Sequence, residues 1–374
     1  MFRTTRWDPL AGCSLLAGPV LVLLGVSLLV AAPAPVPRKP TMEIVFCLDC
    51  TGSMAGLIDG AKLKIWSMCN QVLNGRPMPN LKVGLVGFRD KGDDYVTKVF
   101  DLRDDLDEVY SDLQTFSANG GGDTPEHVNQ AIDDAVNKIS WSQDRKAIKI
   151  IFLVGDAPPH MDYNDDVKYP TTCARAMERG ILINCIQCGN DADCTRFWKD
   201  ICEKGGGNYV AIPQAGGVRG ISTPYDKRLV EINAELTRSI IVFGDSRKRE
   251  SDARKAQTVL TLPPEVAADR AGYLAKEGKA ARYDLLDTIR AGKIRLESLR
   301  NEELPPELQK MSARERQDHL NKVGEMRTRL LREAHDLDRQ RSANVSKELE
   351  KNKDSFDGQV LDMLRKQSHR RVRY

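Results

Sequence analysis

The sequence predicts an α/β fold, a doubly wound and mostly parallel sheet, with an N-terminal membrane segment before it and an α-helical extension after it. Three observations carry that expectation. Apolar runs of strand length alternate with segments of helical periodicity between residues 42 and 240, which is the pattern of βαβ units. Two of the runs, 42–49 and 149–156, are almost continuously apolar and end in an acid, as strands covered on both faces do. The composition then changes: beyond residue 245 there is no Cys and no Trp, and 30 Lys and Arg stand against 22 Asp and Glu. With an overall formal charge of +3, the preceding part is therefore acidic. At 374 residues, 41% hydrophobic and 29% charged, the chain is neither a polytopic membrane protein nor wholly disordered. The expected division is 1–40 (membrane segment and linker), 41–245 (α/β domain) and 246–374 (charged helical extension).

In chain order, residues 10–31 (LAGCSLLAGPVLVLLGVSLLVA) are uncharged and long enough to span a bilayer as one helix. The expectation is an uncleaved anchor with the bulk of the chain outside the cytoplasm, periplasmic or at the cell surface; a cleaved signal peptide, hence a secreted protein, is the alternative. The Pro-rich linker APAPVPRKP follows and reads as a stiff spacer. Residues 42–49 form the first strand. Met54, Leu57, Ile58, Ala61, Ile65, Met68 and Val72 recur at helical spacing. A second strand covers 81–88, and 95–102 is its hairpin partner. Helices follow around 106–113 and 128–139, then the strand 149–156, a short helix near 172–179, a strand over 181–188, a helix carrying Cys194 to Cys202, a short strand 208–212, and a last helix marked by Leu229, Ile232, Leu236 and Ile240.

Three segments fall at the carboxyl ends of these strands, where open α/β sheets bind their ligands. The first is Asp49-Cys50-Thr51-Gly52-Ser53, the second Gly120-Gly121-Gly122-Asp123-Thr124-Pro125-Glu126, and the third Gly155-Asp156-Ala157-Pro158-Pro159-His160. A hard divalent cation takes oxygen ligands and keeps several waters. Asp49 and Asp156 offer carboxylates, Thr51 and Ser53 offer hydroxyls two residues apart on a turn, and the glycine run lets the second loop come close.

These residues resemble the von Willebrand factor A domain family and its metal-ion-dependent adhesion site. The family pattern is Asp-x-Ser-x-Ser, a Thr from a second loop and an Asp from a third. Asp49, Thr51, Ser53 and Asp156 match it position by position, Thr51 replacing a Ser. In the second loop Asp123 stands at the family's Thr position with Thr124 beside it, and both remain candidates. The resemblance implies a divalent cation, Mg²⁺ first with Mn²⁺ and Ca²⁺ as alternatives. It also implies an open coordination position filled by an Asp or Glu of a protein partner, with no catalytic residue. The expected activity is metal-dependent protein binding. A metal-dependent hydrolase or phosphatase using Asp49 or Asp156 is the alternative, although no acid stands where Thr51 does, and no nucleophile elbow or phosphate loop is present. No nucleic-acid partner is expected.

Other candidate sites read more plainly. His127 and His160 are expected as partly exposed loop residues. Residues 88–94 are expected either to rim the metal face or to form a solvated turn. The pairs Cys47/Cys50 and Cys185/Cys188, with Cys194 and Cys202, suggest zinc or, in an oxidising compartment, disulfides, but burial as core thiols is the stronger reading. In the extension, Ser312 and Glu315 form a capping box. Leu320, Val323, Leu330, Ala334 and Leu337 keep a helical period that Gly324 and Arg327 interrupt. The expectation is a helical hairpin or loose coiled coil that packs on itself or on a second copy. The stretch ELPPELQKMSARERQDHL resembles the extensions of bacterial membrane-tethered A-domain proteins. In that family the last domain helix shifts when the metal loops rearrange, so partner binding is expected to move the extension. The terminal His369-Arg370-Arg371-Val372-Arg373 run reads as solvated.

Overall fold

A computed structural model of the protein describes residues 39–217, 220–351 and 355–374. The segment 10–31 expected in the membrane lies outside the described residues. Among the helices described, none is long and apolar enough to cross a membrane.

The α/β part runs β1 (Thr41–Asp49), α1 (Ala55–Val72), β2 (Asn80–Phe88), β3 (Thr97–Arg103), α2 (Leu106–Gln114), α3 (Val128–Asn137), β4 (Ile148–Gly155), α4 (Tyr169–Glu178), β5 (Ile181–Cys188), α5 (Ala192–Lys204), β6 (Gly206–Ile212) and α6 (Asp226–Arg238). One six-stranded sheet has the order β3-β2-β1-β4-β5-β6. Every pairing is parallel except β2 with β3, as expected for a hairpin partner on the edge. The strand order reverses between β1 and β4, and a crevice opens there beyond the carboxyl ends. Leu48 of β1 pairs with Val154 of β4, so the register sets Asp49 beside Gly155 and Asp156.

Both faces of the sheet are covered, which is why the central strands are apolar at every position. Ile44, Phe46 and Leu48 of β1, with Ile150, Phe152 and Val154 of β4, face one core, while Val45, Cys47, Ile151 and Leu153 face the other. The second core is closed by α3, α4 and α5 through Val128, Ile132, Cys173, Trp198 and Ile201. All eight cysteines from Cys47 to Cys202 are buried free thiols, the core reading of the cysteine pattern.

The extension consists of α7 (Ser246–Leu260), α8 (Pro264–Glu277), α9 (Leu285–Arg290), α10 (Pro306–Gln309), α11 (Ala313–Lys351) and α12 (Phe356–Ser368). It packs on itself only in part, through the cluster of Leu285, Leu286, Leu304, Leu308 and Leu320. Its apolar faces join the first core of the α/β domain: Val266, Ala271 and Leu274 of α8, Leu330, Ala334 and Val345 of α11, and Phe356, Val360 and Leu364 of α12 are all buried with α1 and α6. Phe356 reaches the sheet itself, its ring 6.2 Å from that of Phe46. Buried charges at the residues that break the heptad fix this arrangement, some within the extension and others across to the α/β domain. Arg327 is fully buried and forms 2.6 and 2.8 Å bonds to Asp284 of the extension, while its Nε donates to Ser239 Oγ just past α6 at 2.9 Å. Gly324 makes room for the Arg290 guanidinium, which a Cβ there would meet at 2.4 Å. Arg341 bonds Asp226 of α6 at 2.7 Å and also binds Asp269 of α8. Arg270 grips Asp107 of α2 at 2.6 and 2.7 Å, and Lys64 of α1 pairs with Asp357 at 3.1 Å. A helix with buried charges at these positions docks where their counter-charges are. The chain end is fixed as well: Val372 is fully buried, and Arg373 pairs backbone to backbone with Arg76.

Candidate metal centre

Three loops meet at the β1/β4 crevice, and the backbone holds them together. The Cys50 N–H donates to the Phe88 carbonyl (2.8 Å), Asn119 N–H to the Cys50 carbonyl (3.0 Å) and Gly52 N–H to the Gly120 carbonyl (3.2 Å). Glu126 N–H donates to the Pro158 carbonyl (2.9 Å), and His160 N–H returns a bond to Glu126 (3.2 Å). Gly120 and Gly121 have φ near +78° and +77°, a conformation that side chains rarely adopt. Arg89, itself buried, donates Nε to the Cys50 carbonyl (3.1 Å) and Nη2 to the Ser117 carbonyl (2.8 Å). It thereby ties the first loop to the approach of the second.

The side chains of the first loop are pre-arranged. Asp49 is 1% exposed. Its Oδ1 accepts from the Thr51 N–H (2.9 Å) and Thr51 hydroxyl (2.7 Å), and the Thr51 and Ser53 oxygens lie 3.3 Å apart. Its Oδ2 has no hydrogen-bond partner. Burial, opposed by the Thr51 bonds and reinforced by the charge of Asp156, lifts the Asp49 pKa to about 7. Asp156 enters from β4, and its Oδ2 accepts from Gln214 Nε2 at 2.6 Å. Asp49 does not cap a helix: neither the short 3₁₀ turn Gly52–Met54 nor α1 has a side-chain cap. The structure thus brings Asp49, Thr51 and Ser53 together, with Asp156 alongside.

The second loop divides. Glu126, which the sequence reading did not single out, is the buried carboxylate of this loop and lies near Thr51: a Cβ on Gly121 would be 3.1 Å from Glu126 Oε1 and 3.2 Å from Thr51 Cβ. It is 3% exposed with Oε2 unpartnered. Burial, then repulsion from Asp49, Asp90, Asp93 and Asp156, raises its pKa to about 9. Asp123 lies to the other side, its exposed carboxylate 3.9 Å from His160 Nε2, and Thr124 is exposed. His127 and His160 are buried rather than partly exposed, because both rings pack on Tyr163, His160 stacked at 4.0 Å and His127 edge-on at 5.1 Å. Asp90 is buried too, accepting from the Tyr163 hydroxyl at 2.8 Å. Arg89, Asp90 and Asp93 therefore rim the site, while Lys91, Gly92 and Asp94 form the exposed turn. Asp90, Glu126 and His160 carry no local signature, since only the packing of Tyr163 and the Glu126–Pro159 bridge brings them here.

Residues 43–214 match the family model of the von Willebrand factor A domain. Comparison with the curated proteins gives no match. Among solved structures, the VWA domain of SpRpn10 is similar at 16% identity and a TM-score of 0.36, over 47% of this chain and 89% of that one. Proximal thread matrix protein 1 of the mussel byssus, in two structures, is similar at 12% and 13% identity with TM-scores of 0.34 and 0.35. Those alignments cover 47% and 48% of this chain, and 42% and 44% of the byssus protein.

Proposed function

Residues 43–214 form a von Willebrand factor A domain, and from that premise we propose that the chain is a metal-ion-dependent protein-binding module. Asp49, Thr51, Ser53 and Asp156 would hold a divalent cation, Mg²⁺ first, with Glu126 of the second loop near Thr51. The observation that carries this reading is the buried Asp49 carboxylate, one oxygen fixed by Thr51 and the other without a partner. A buried carboxylate oxygen left unpaired costs several kcal/mol unless a cation or donor meets it, and the nearby charge of Asp156 increases that cost. An all-oxygen set of carboxylates and hydroxyls suits Mg²⁺ or Mn²⁺. Bound there, the ion would supply an attachment point for a carboxylate of the partner.

The chain's own residues do the rest. Thr51 orients Asp49, Gln214 orients Asp156, and Arg89 fixes the loop backbone. Binding, and not turnover, is the proposed activity. The partner is a protein presenting Asp or Glu. The apolar run 10–31 supports a membrane anchor with this domain on the extracytoplasmic side.

The test is calorimetric titration of Mg²⁺ and Mn²⁺ into wild type and Asp49→Ala, followed by an EDTA-reversible pull-down with both proteins. Saturable binding lost in Asp49→Ala, with metal-dependent capture of a partner, is the expected result. Equal cation binding by both proteins overturns the site. Mg²⁺-dependent turnover of phosphoesters that Asp49→Asn abolishes overturns the assignment as a binding module.

A further inference from the structure

The crevice holds a second group of ligand atoms with a different chemistry. Asp90, from the loop after β2, Asp123, from the second loop, and His160, from the third, each offer one atom, and all three atoms lie within 4.8 Å of one another. Among the described residues no other three His, Cys, Asp or Glu meet in this way. His160 gives the group its meaning. Its ring is 5% exposed, yet Nε2 has no hydrogen-bond partner. It points between two carboxylates, 3.4 Å from Asp90 Oδ2 and 3.9 Å from Asp123 Oδ2. On the other side of the ring, Nδ1 lies 2.8 Å from Asp162 Oδ1. A carboxylate only accepts, so Nδ1 carries the proton, and in the neutral ring Nε2 presents its lone pair to the two acids.

Such an arrangement is repulsive unless something positive lies between the three atoms. Neither acid lies at the roughly 2.7–2.9 Å of a charge-assisted hydrogen bond to Nε2. Two ligands each about 2.0–2.1 Å from a tetrahedral ion stand roughly 3.4 Å apart; His160 and Asp90 are at that separation and His160 and Asp123 at 3.9 Å. The surroundings are those of a supported metal ligand. Asp162 fixes the tautomer from behind, as carboxylates do for metal-bound histidines. Tyr163 stacks on the imidazole and donates to Asp90. The His160 backbone is pinned by its bond to Glu126 and by Asn129 Nδ2, which donates to the His160 carbonyl at 2.7 Å. Asp123 is open to water, which leaves a coordination position accessible.

We propose that Asp90, Asp123 and His160 form a second cation site, separate from the Asp49 site, that takes a divalent transition ion of the Zn²⁺ class. One imidazole nitrogen with two carboxylate oxygens favours Zn²⁺ and its neighbours over Mg²⁺ or Ca²⁺, which prefer oxygen alone. The site does not depend on Asp49 being a ligand.

Titrating Zn²⁺ calorimetrically in excess Mg²⁺ tests it on the full chain, with circular dichroism confirming the fold of each variant. Wild type and Asp49→Ala are expected to bind one Zn²⁺ alike. His160→Gln and Asp123→Asn are expected to lose at least about 30-fold in affinity. Asp162→Asn, which touches no ion, is expected to lose about 10-fold through the His160 tautomer. X-ray absorption of the Zn²⁺-loaded protein is expected to show one imidazole, absent from His160→Gln. Unchanged Zn²⁺ affinity in His160→Gln, or nitrogen NMR showing both His160 nitrogens protonated with Zn²⁺ present, overturns the proposal. Loss of Zn²⁺ binding in Asp49→Ala overturns the independence of the two sites. Failure of Mg²⁺ to bind at all would sink the protein-binding reading and leave this site standing.

Discussion

Gly155 is the position at which β4 runs closest to the Asp49 side chain. A Cβ there would lie 2.9 Å from both Cβ and Oδ2 of Asp49 and 3.2 Å from the Trp198 ring. Since Trp198 is fully buried, the carboxylate is what must yield. Gly155→Ala is therefore expected to weaken Mg²⁺ binding at least tenfold, read by calorimetry, while costing no more stability than an ordinary overpacked site, about 1–3 kcal/mol. A second residue carries its pH dependence in isolation from the crevice. Asp105 caps α2 by accepting from the Asp107 N–H at 3.2 Å. Burial first, then repulsion from Asp107 and Glu108, lifts its pKa to about 6 against the attraction of Lys255. A carboxyl raised above its unfolded value favours folding most below that value, about pH 4, and the benefit is gone once pH passes 6. Asp105→Asn keeps the cap and cannot ionise. It is expected to stabilise the protein by up to about 2 kcal/mol at pH 8 and not at pH 4, measured by urea unfolding at both. At this scale the sequence discloses what local spacing encodes: the 49/51/53 turn and the acid closing the 149–156 run. It conceals Asp90, Glu126 and His160, whose meeting depends on contacts between loops far apart in the chain.

Elements are legible to the extent that one face decides them. The strands were readable because each apolar run is covered on both sides, and β3 because it follows β2 across a short polar turn. The long helix α11 was readable as a helix, and its docking was not, because the docking is written in buried charge. Arg327 illustrates this: it binds both oxygens of Asp284, and Ser239 Oγ at 2.9 Å. Asp284 in turn caps α9 and accepts from the Ile241 N–H at 2.7 Å. Removing the guanidinium leaves a buried carboxylate with too few donors. Arg327→Ala is expected to cost about 3–5 kcal/mol, read as a lowered urea midpoint, whereas Arg329→Ala, two residues along on an exposed face, is expected to change stability by less than about 0.5 kcal/mol. Equal effects would mean that helix propensity, and not the ion pair, seats this element.

Across the whole molecule, the β1/β4 crevice and the extension share a short physical path. Gln214 donates to Asp156 at 2.6 Å. Ala215 packs on Gly56 at the start of α1, where an added Cβ would come within 3.2 Å of it. The Gly216 carbonyl accepts from the Phe356 N–H at 3.0 Å, at the first residue of α12. From there α12 lies on the sheet through Phe356 and Phe46, and its far end is held by Gln367, whose Nε2 donates to Asn184 Oδ1 of β5 at 2.7 Å. A cation that draws Asp156 inward must either break the Gln214 bond or carry the 213–217 loop with it, and the second course changes the first turn of α12. The direct measurement is hydrogen–deuterium exchange with and without Mg²⁺. Mg²⁺ is expected to alter exchange in peptides covering 213–217 and 356–360 of wild type, and to leave both unchanged in Asp49→Ala. In Gln214→Ala the cation should still bind while the 356–360 peptide no longer responds. If that peptide responds equally in Gln214→Ala, the loop is not the link. The alternative route is then the last helix of the domain, α6, through the Asp226–Arg341 contact to α11.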